Sequence, residues 1–297
     1  MLTKTVKLVY NYESGSKLCQ IWNKMTDGNF TFKCEEKSIK LVGDETSFKD
    51  ADFIVVVNGG IEPNPIFFYK TIFFKMEPVF VDYRWLNVGT WPILDIFGSH
   101  GIEQIKDSFN ALEWHLNKTR SELLTLQIKK TKKNTISSII SGKTMSPGHI
   151  IRLEFALFAQ NFFDWDAYGN WNSQKRNWNN FLGSPEYKDD TLFPYKYSFT
   201  CENNFMNNYV TEKLVDCILA ETLCFYDGAP NVENIIDPRA YIKLDLKNPV
   251  KAIEIMKRAI NDNEYEKRLP FIKFEKEKII RYTSLIPRLW KTIYKDH

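Results

Sequence analysis

Long apolar runs are missing from this 297-residue chain, and so is any strong excess of charge. No stretch approaches the roughly twenty consecutive apolar residues that a membrane helix needs. The opening MLTKTVKLVYNY carries no apolar signal-peptide core. A net charge of +3 is too small to point to nucleic acid or a membrane surface. Cysteine is sparse: five residues, odd in number and without a C-x-x-C pair. That speaks against a disulfide framework and a zinc site, and for reduced thiols in a cytoplasmic protein. Neither G-x-G-x-x-G nor G-x-x-x-x-G-K-[ST] occurs, so Asn58-Gly59-Gly60 reads as a tight turn and a P-loop kinase is excluded. The chain shows no internal repeat or low-complexity tract.

What is present is an ordinary globular composition, 43% hydrophobic and 26% charged. The length suits one large domain or two of usual size. Eight Trp, fourteen Tyr and 22 Phe supply core and, potentially, surfaces that stack on sugars or a base. Two N-x-T triplets, at Asn29 and Asn117, match the glycosylation pattern but lack a secretory context.

Patterning predicts alternating strands and helices. Strands are expected at Thr5–Tyr10, Ser38–Val42, Ala51–Val57 and Thr71–Met76, with a helix at Ser16–Met25. Ile102–Gln127 reads as a helix with Ile105, Phe109, Leu112, Leu116 and Leu123 on one face. Lys129–Lys133, with four lysines, reads as a solvated linker. A second α/β half follows, with a strand at Thr135–Ile140, the loop Ser141–Gly148 and a helix from His149 to Gln160. Asp164–Tyr195 reads as irregular, and Val250–Tyr265 and Ile272–Tyr294 as helices.

Tyr195–Pro230 then reads as strand, loop, helix and strand, the βαβ unit of a parallel sheet. Thr211 is placed to cap a helix with Leu214, Val215, Ile218 and Leu219 on one face. Lys213 falls in the first turn, where the helix dipole is already positive. Two readings fit: an anion-binding site at a helix N-terminus, or a solvent-facing lysine with a small energetic cost.

Glu202-Asn203, then Tyr209-Val210-Thr211-Glu212-Lys213, a strand and Gly228 resemble the signature of the α-1,3/4-fucosyltransferases, glycosyltransferase family 10. Cys201 stands where that family has an aromatic residue, and Asn204 where Ser or Thr is common. Ser146-Pro147-Gly148-His149-Ile150-Ile151-Arg152 resembles the segment whose arginine grips the donor phosphates. The resemblance implies an α/β fold of two Rossmann-like domains facing a cleft (GT-B). The expected domains are 1–130 on the acceptor side and 131–275 on the nucleotide-sugar side, with a helix at 276–297 packing back on the first domain.

It further implies an inverting, metal-independent glycosyltransferase moving a sugar, in the first instance L-fucose from GDP-fucose, to a glycan or glycoconjugate hydroxyl. The nucleotide sugar is then a co-substrate, and no cofactor, metal, nucleic acid or membrane span is expected. By the same resemblance Glu77 is the general base, Arg152 and Lys213 stabilise the diphosphate, and Asn203, Tyr209 and Glu212 line the nucleotide-sugar pocket. Residue chemistry leaves plainer alternatives beside these: a solvated strand-end glutamate for Glu77, a surface ion pair for Arg152 and helix capping for Glu212. His100 and His115 are fallback bases. Asp164-Trp165-Asp166 imitates a metal-binding D-x-D but reads as loop structure or an acceptor contact. Rival readings are the same fold with a UDP-sugar donor, such as UDP-xylose, and a non-catalytic carbohydrate-binding protein.

Overall fold

In the computed structural model, which describes residues 2–10, 13–57, 70–75, 95–98, 112–170 and 174–294, the apolar runs of the N-terminal third form one sheet. Its centre is β1 (Leu2–Tyr10), where Val6 and Leu8 have no exposure. β3 (Lys37–Val42) and β4 (Phe53–Val57) flank it in parallel, with Val6 opposite Leu41 and Phe53. β5 (Thr71–Lys75) and β6 (Asp95–Gly98) extend the sheet, and β2 (Thr31–Cys34) forms an antiparallel edge beside β3. That edge strand was not foreseen, because four residues are too few to separate a period of two from a turn. Helix α1 (Gly15–Asn23) starts where Ser14 Oγ accepts from the Lys17 amide, and its Trp22 meets Phe74 edge to face.

This unit comprises Met1–Ala111, Lys118–Leu124 and Ile280–His297. It includes the C-terminal helix α7 (Leu285–Tyr294), whose Tyr294 hydroxyl donates to the carbonyl oxygens of Leu2 and Ser38 at 2.9 and 2.6 Å.

The second unit comprises Leu112–Asn117 and Thr125–Ile279. Its sheet contains β7 (Lys132–Ile139), β8 (Trp165–Tyr168), β9 (Tyr195–Cys201), β10 (Leu223–Asp227) and β11 (Tyr241–Lys243), all parallel, in the order β11-β10-β9-β7-β8. Tyr195, Tyr197, Phe199 and Cys201 of β9 are buried, and so are the intervening Ser198 and most of β10. Burial on both faces is what a parallel sheet covered by helices requires. The helices are α3 (Pro147–Ala159), α4 (Glu212–Leu219), α5 (Pro249–Asn261) and α6 (Glu264–Lys278).

The strand order has a functional consequence. The first strand of the unit, β7, lies inside the sheet, and the chain proceeds to β8 on one side before returning to β9 on the other. The loops leaving β7 and β9 therefore diverge and open a crevice, the topological switch point at which parallel α/β sheets bind ligands.

Several sequence expectations are corrected. Of the helix expected over 102–127, residues 102–111 lie outside the described residues, 112–119 are not helical, and only α2 (Arg120–Thr125) is. Leu112, Trp114 and Leu116 are all buried, so a period of two overrides the helical spacing of Leu112 and Leu116. Between them the His115 and Asn117 amides donate to the carboxylates of Asp216 and Asp189 at 2.9 and 2.6 Å, which places Leu112–Asn117 in the second unit. In the lysine run Lys129, Lys132 and Lys133 are exposed, as a solvated segment requires, but the run is more than a linker. Lys130 Nζ donates to the carbonyls of Ala220 and Leu192 and to Thr222 Oγ1, and Lys132 begins β7.

Within Asp164–Tyr195 lies strand β8, and Asp166 of the D-x-D imitation is buried. Its carboxylate accepts from Tyr195 Oη and Asn180 Nδ2, both at 2.6 Å, and pairs with Lys132 at 3.4 Å. The final helical stretch is interrupted by a π-helical turn at Ile279–Thr283, which separates α6 from α7. Among the described residues no helix is long and apolar enough to cross a membrane.

Helix α3 meets the end of β9 with almost no clearance. The Gly148 amide donates to the Asn203 carbonyl at 3.2 Å. A β-carbon on Gly148 would overlap the Glu202 carbonyl oxygen and lie 2.6 Å from that of Asn203. Backbone cannot swing aside as a flexible side chain does, so Gly148→Ala should destabilise the fold by about 1–3 kcal/mol. A lowered urea midpoint with an unchanged denaturant slope is the expected result.

Candidate functional site

The crevice at the β7/β9 switch point is a cavity of about 250 Å³. Ile139 of β7 and Ser198–Thr200 of β9 form part of its wall, Ser141 and Lys143 come from the loop after β7, and His149 and Arg152 from the first turns of α3. Asn203 follows β9, Glu212, Lys213 and Cys217 come from α4, and Lys188 precedes β9 on a short 3₁₀ turn. Four expected site residues, Arg152, Asn203, Glu212 and Lys213, are thus brought together by one strand order.

Arg152 is the most constrained of them. Its side chain is buried, with Nη1 donating to the Cys201 carbonyl at 3.0 Å and to Asn203 Oδ1 at 3.2 Å, and Nη2 to Ser141 Oγ at 3.3 Å. Its buried Nε has no hydrogen-bond partner among the described residues. Burial lowers its proton affinity, with Cys201, Glu202 and Glu212 opposing. A guanidinium remains charged through such a shift, so the surface ion pair considered for Arg152 is not what forms.

Lys213 is set by the cap of α4. Thr211 Oγ1 accepts from the Lys213 amide at 3.4 Å and from its ammonium at 3.0 Å. The same ammonium lies 3.2 Å from Glu212 Oε1 and 3.4 Å from Glu202 Oε2. Burial alone would lower its pKa, but the two carboxylates outweigh that and hold it above the ordinary value. Glu212 is held well below the carboxylate range: burial works against ionisation, and Lys213, His115 and Lys188 overcome it.

Glu202 carries the local architecture. It has no exposure, and its carboxylate accepts from the Thr211 amide at 2.8 Å, Thr211 Oγ1 at 2.7 Å and Tyr226 Oη at 3.3 Å. It therefore fixes the start of α4 against the end of β9.

Three cavity-lining residues were not singled out from sequence: Lys143, His149 and Lys188. Lys188 pairs with the fully buried Asp216 at 2.6 Å; burial works against its charge, but Asp216 and Glu212 together outweigh it and raise its pKa. No local pattern marks Lys188, because the segment before β9 has no periodicity. His149 was visible only as the start of a helix. Among the described residues the cavity thus presents four cations, Lys143, Arg152, Lys188 and Lys213, with Glu212 the one carboxylate on its wall.

The other expectations fall differently. Tyr209 is buried and is not among the cavity-lining residues. Glu77 and His100 lie outside the described residues. His115 Nε2 lies 3.3 Å from Glu113 Oε1. Burial lowers its pKa, but Glu113 and Glu212 outweigh that and hold it above the ordinary value. No group of three or more His, Cys, Asp or Glu among the described residues is arranged to hold a metal ion.

Comparison with known proteins agrees with this geometry. The curated α-(1,3)-fucosyltransferase FucT of Helicobacter pylori is 34% identical over 71 residues, which are 24% of this chain and 15% of that protein. A crystal structure of an α1,3-fucosyltransferase superposes with a TM-score of 0.56 at 15% identity, covering 96% of this chain and 92% of its own. One of an α1,3-fucosyltransferase with GDP-fucose gives 0.54 at 16% identity, covering 91% and 82%. Anabaena Alr3699/HepE in complex with UDP-glucose gives 0.55 at 9% identity, covering the whole of both chains. At these identities the structures speak for the fold, α/β with two Rossmann-like units of the GT-B class. The profile described as glycosyltransferase family 10 (fucosyltransferase), C-term, matches residues 129–280, just over half the chain, and with it the chain belongs to glycosyltransferase family 10.

Proposed function

We propose that this protein is a glycosyltransferase that moves a sugar from a nucleoside-diphosphate donor to a glycan hydroxyl, with GDP-fucose the first-choice donor. The observation that carries this reading is the cavity at the β7/β9 switch point, where, among the described residues, four cations and a single carboxylate line the space. Family membership and the GDP-fucose named with a structural neighbour support the donor.

In the proposed reaction the acceptor oxygen bonds to the anomeric carbon while the bond from that carbon to the diphosphate oxygen breaks. The electron pair leaves on the diphosphate, and the hydroxyl proton passes to a base. Arg152 and Lys213 stabilise the departing charge. Such groups act strongly because they are positioned before the reaction and partly removed from water. Arg152 is held by three protein acceptors and Lys213 by Thr211, Glu212 and Glu202. Glu212, kept ionised, accepts hydrogen bonds from donor hydroxyls, and Asn203 orients Arg152 through its Oδ1. Tyr209, buried and outside the cavity lining, is assigned no contact in this scheme. Glu77 remains the proposed base, and an inverting course rests on it.

Thermal stabilisation tests the donor, since a ligand that binds only the folded state raises stability. GDP should stabilise the protein and GDP-fucose more so. A shift confined to UDP and one UDP-sugar would replace the donor, and no shift with any nucleotide would overturn the reading. Arg152→Lys and Lys213→Met should each lower kcat/KM by about a hundredfold or more, as loss of a positioned donor to developing charge does. Turnover within a few fold of wild type in both would remove them from the diphosphate. The anomeric coupling in the product's NMR spectrum decides stereochemistry: inversion is expected, and retention would remove the single-displacement scheme with Glu77 as base.

A further inference from the structure

His149 is buried beside the diphosphate site, lines the same cavity and has no place in the scheme above. Its Nδ1 lies 2.8 Å from Ser146 Oγ, within the same helical turn. Its other nitrogen, Nε2, makes no hydrogen bond to any described residue. A buried imidazole normally satisfies both nitrogens. One nitrogen is anchored here, and the other is left for whatever fills the cavity. Ser146 Oγ makes no capping bond to the helix it precedes, so that hydroxyl is committed to the ring. A hydroxyl can donate to a bare Nδ1 or accept from Nδ1–H, and it therefore tolerates either charge state of the imidazole.

We propose that His149 is a further diphosphate-contacting residue, which donates a hydrogen bond from Nε2 to a phosphate oxygen of the donor and, in mildly acidic solution, takes up a proton from solvent as that anion arrives. The inference rests on the proposed nucleotide-diphosphate site.

The surrounding charges give the direction. Lys143 faces the cavity from the loop after β7, Arg152 from the next turn of α3, and Lys213 from α4. Lys188 comes from the turn before β9, and Glu212 and Cys217 from α4. Glu202, behind Lys213, is paired with it. With the cavity free of anion, burial and then Arg152, Lys143 and Lys213 push the ring down to about 4, so it is neutral at pH 7. A diphosphate offsets those cations and adds negative charge beside Nε2. Both effects favour the imidazolium. The proton adds to Nδ1, the Ser146 hydroxyl turns from donor to acceptor, and Nε2–H becomes a charge-assisted donor. Neutral in the free protein, His149 adds no fifth charge to a crowded cationic site; in the complex, as pH falls below about 6, it adds one where the leaving group needs it.

Linkage makes this measurable: if binding raises proton affinity, then lower pH tightens binding. Calorimetry of GDP and UDP binding to the full chain, in buffers of different ionisation enthalpy, counts protons taken up per nucleotide. Comparison with His149→Gln, which keeps a donor but cannot titrate, cancels the nucleotide's own protonation. If the anion strengthens the ring's hold on its proton about a hundredfold, wild type gains about fourfold in affinity over His149→Gln between about pH 7.5 and 5.5. Wild type should also take up more protons at the lower pH. Should His149→Gln fail to fold, the wild-type imidazole C–H signal is followed by NMR with and without nucleotide, assigned through Ser146→Ala. Its titration midpoint should move upward on binding. Nucleotide binding with equal proton uptake in both proteins, or an unmoved midpoint, overturns the role of His149. Failure of both nucleotides to bind overturns the proposed function, and this inference with it.

Discussion

A carboxylate removed from water must have its lone pairs matched by the protein, and Glu202 is matched by three residues from two elements. Thr211 supplies an amide and a hydroxyl, Tyr226 a phenol and Lys213 an ammonium. Burial pushes the Glu202 pKa up, while Lys213 and the Thr211 bonds pull against it. Removing any one partner would leave a buried acceptor short, which costs far more than the bond contributes when made. The end of β9, the cap of α4 and the end of β10 are consequently held in one arrangement. Gly228 belongs to the same constraint, because a β-carbon there would lie 2.6 Å from Glu202 Cγ.

The functional cavity inherits its precision from that constraint. Lys213 points where it does because its ammonium has Glu202 and Glu212 on the protein side. Arg152 is fixed from the opposite wall by the Cys201 carbonyl and Asn203, the residues on either side of Glu202. One carboxylate thus registers two cations that come from different helices. Without an anion those cations repel one another, together with Lys143 and Lys188. A site built this way has an unmet electrostatic demand, which the diphosphate of the proposed donor would relieve.

Much of the β9–α4–β10 unit was legible in the chain. The alternation at Tyr195–Cys201, the Thr211 cap and the apolar face of α4 are local features, and local features survive folding when tertiary contacts agree with them. Where local and tertiary signals disagreed, the tertiary one prevailed. Leu112 and Leu116 fit a helix by spacing, yet Asp216 and Asp189 claim the His115 and Asn117 amides, and no helix forms there. The lysines of 129–133 look solvated, yet Lys130 closes three acceptors at the sheet's end.

The sequence by itself determined the class of the fold, the family and the residue types of the site, because strand and helix periodicities and the spaced motif from Glu202 to Gly228 are written in consecutive residues. Only the tertiary structure decided which residues share the cavity. Lys188, Lys143 and His149 join Arg152 and Lys213 through the crossing of β7 and β9, a pairing between segments some sixty residues apart that no window of sequence contains. It also decided charge: a histidine read as a helix start is held neutral by burial and by three cations from other segments and its own helix. Charge state depends on distance through space, and the order of residues along the chain does not fix that distance.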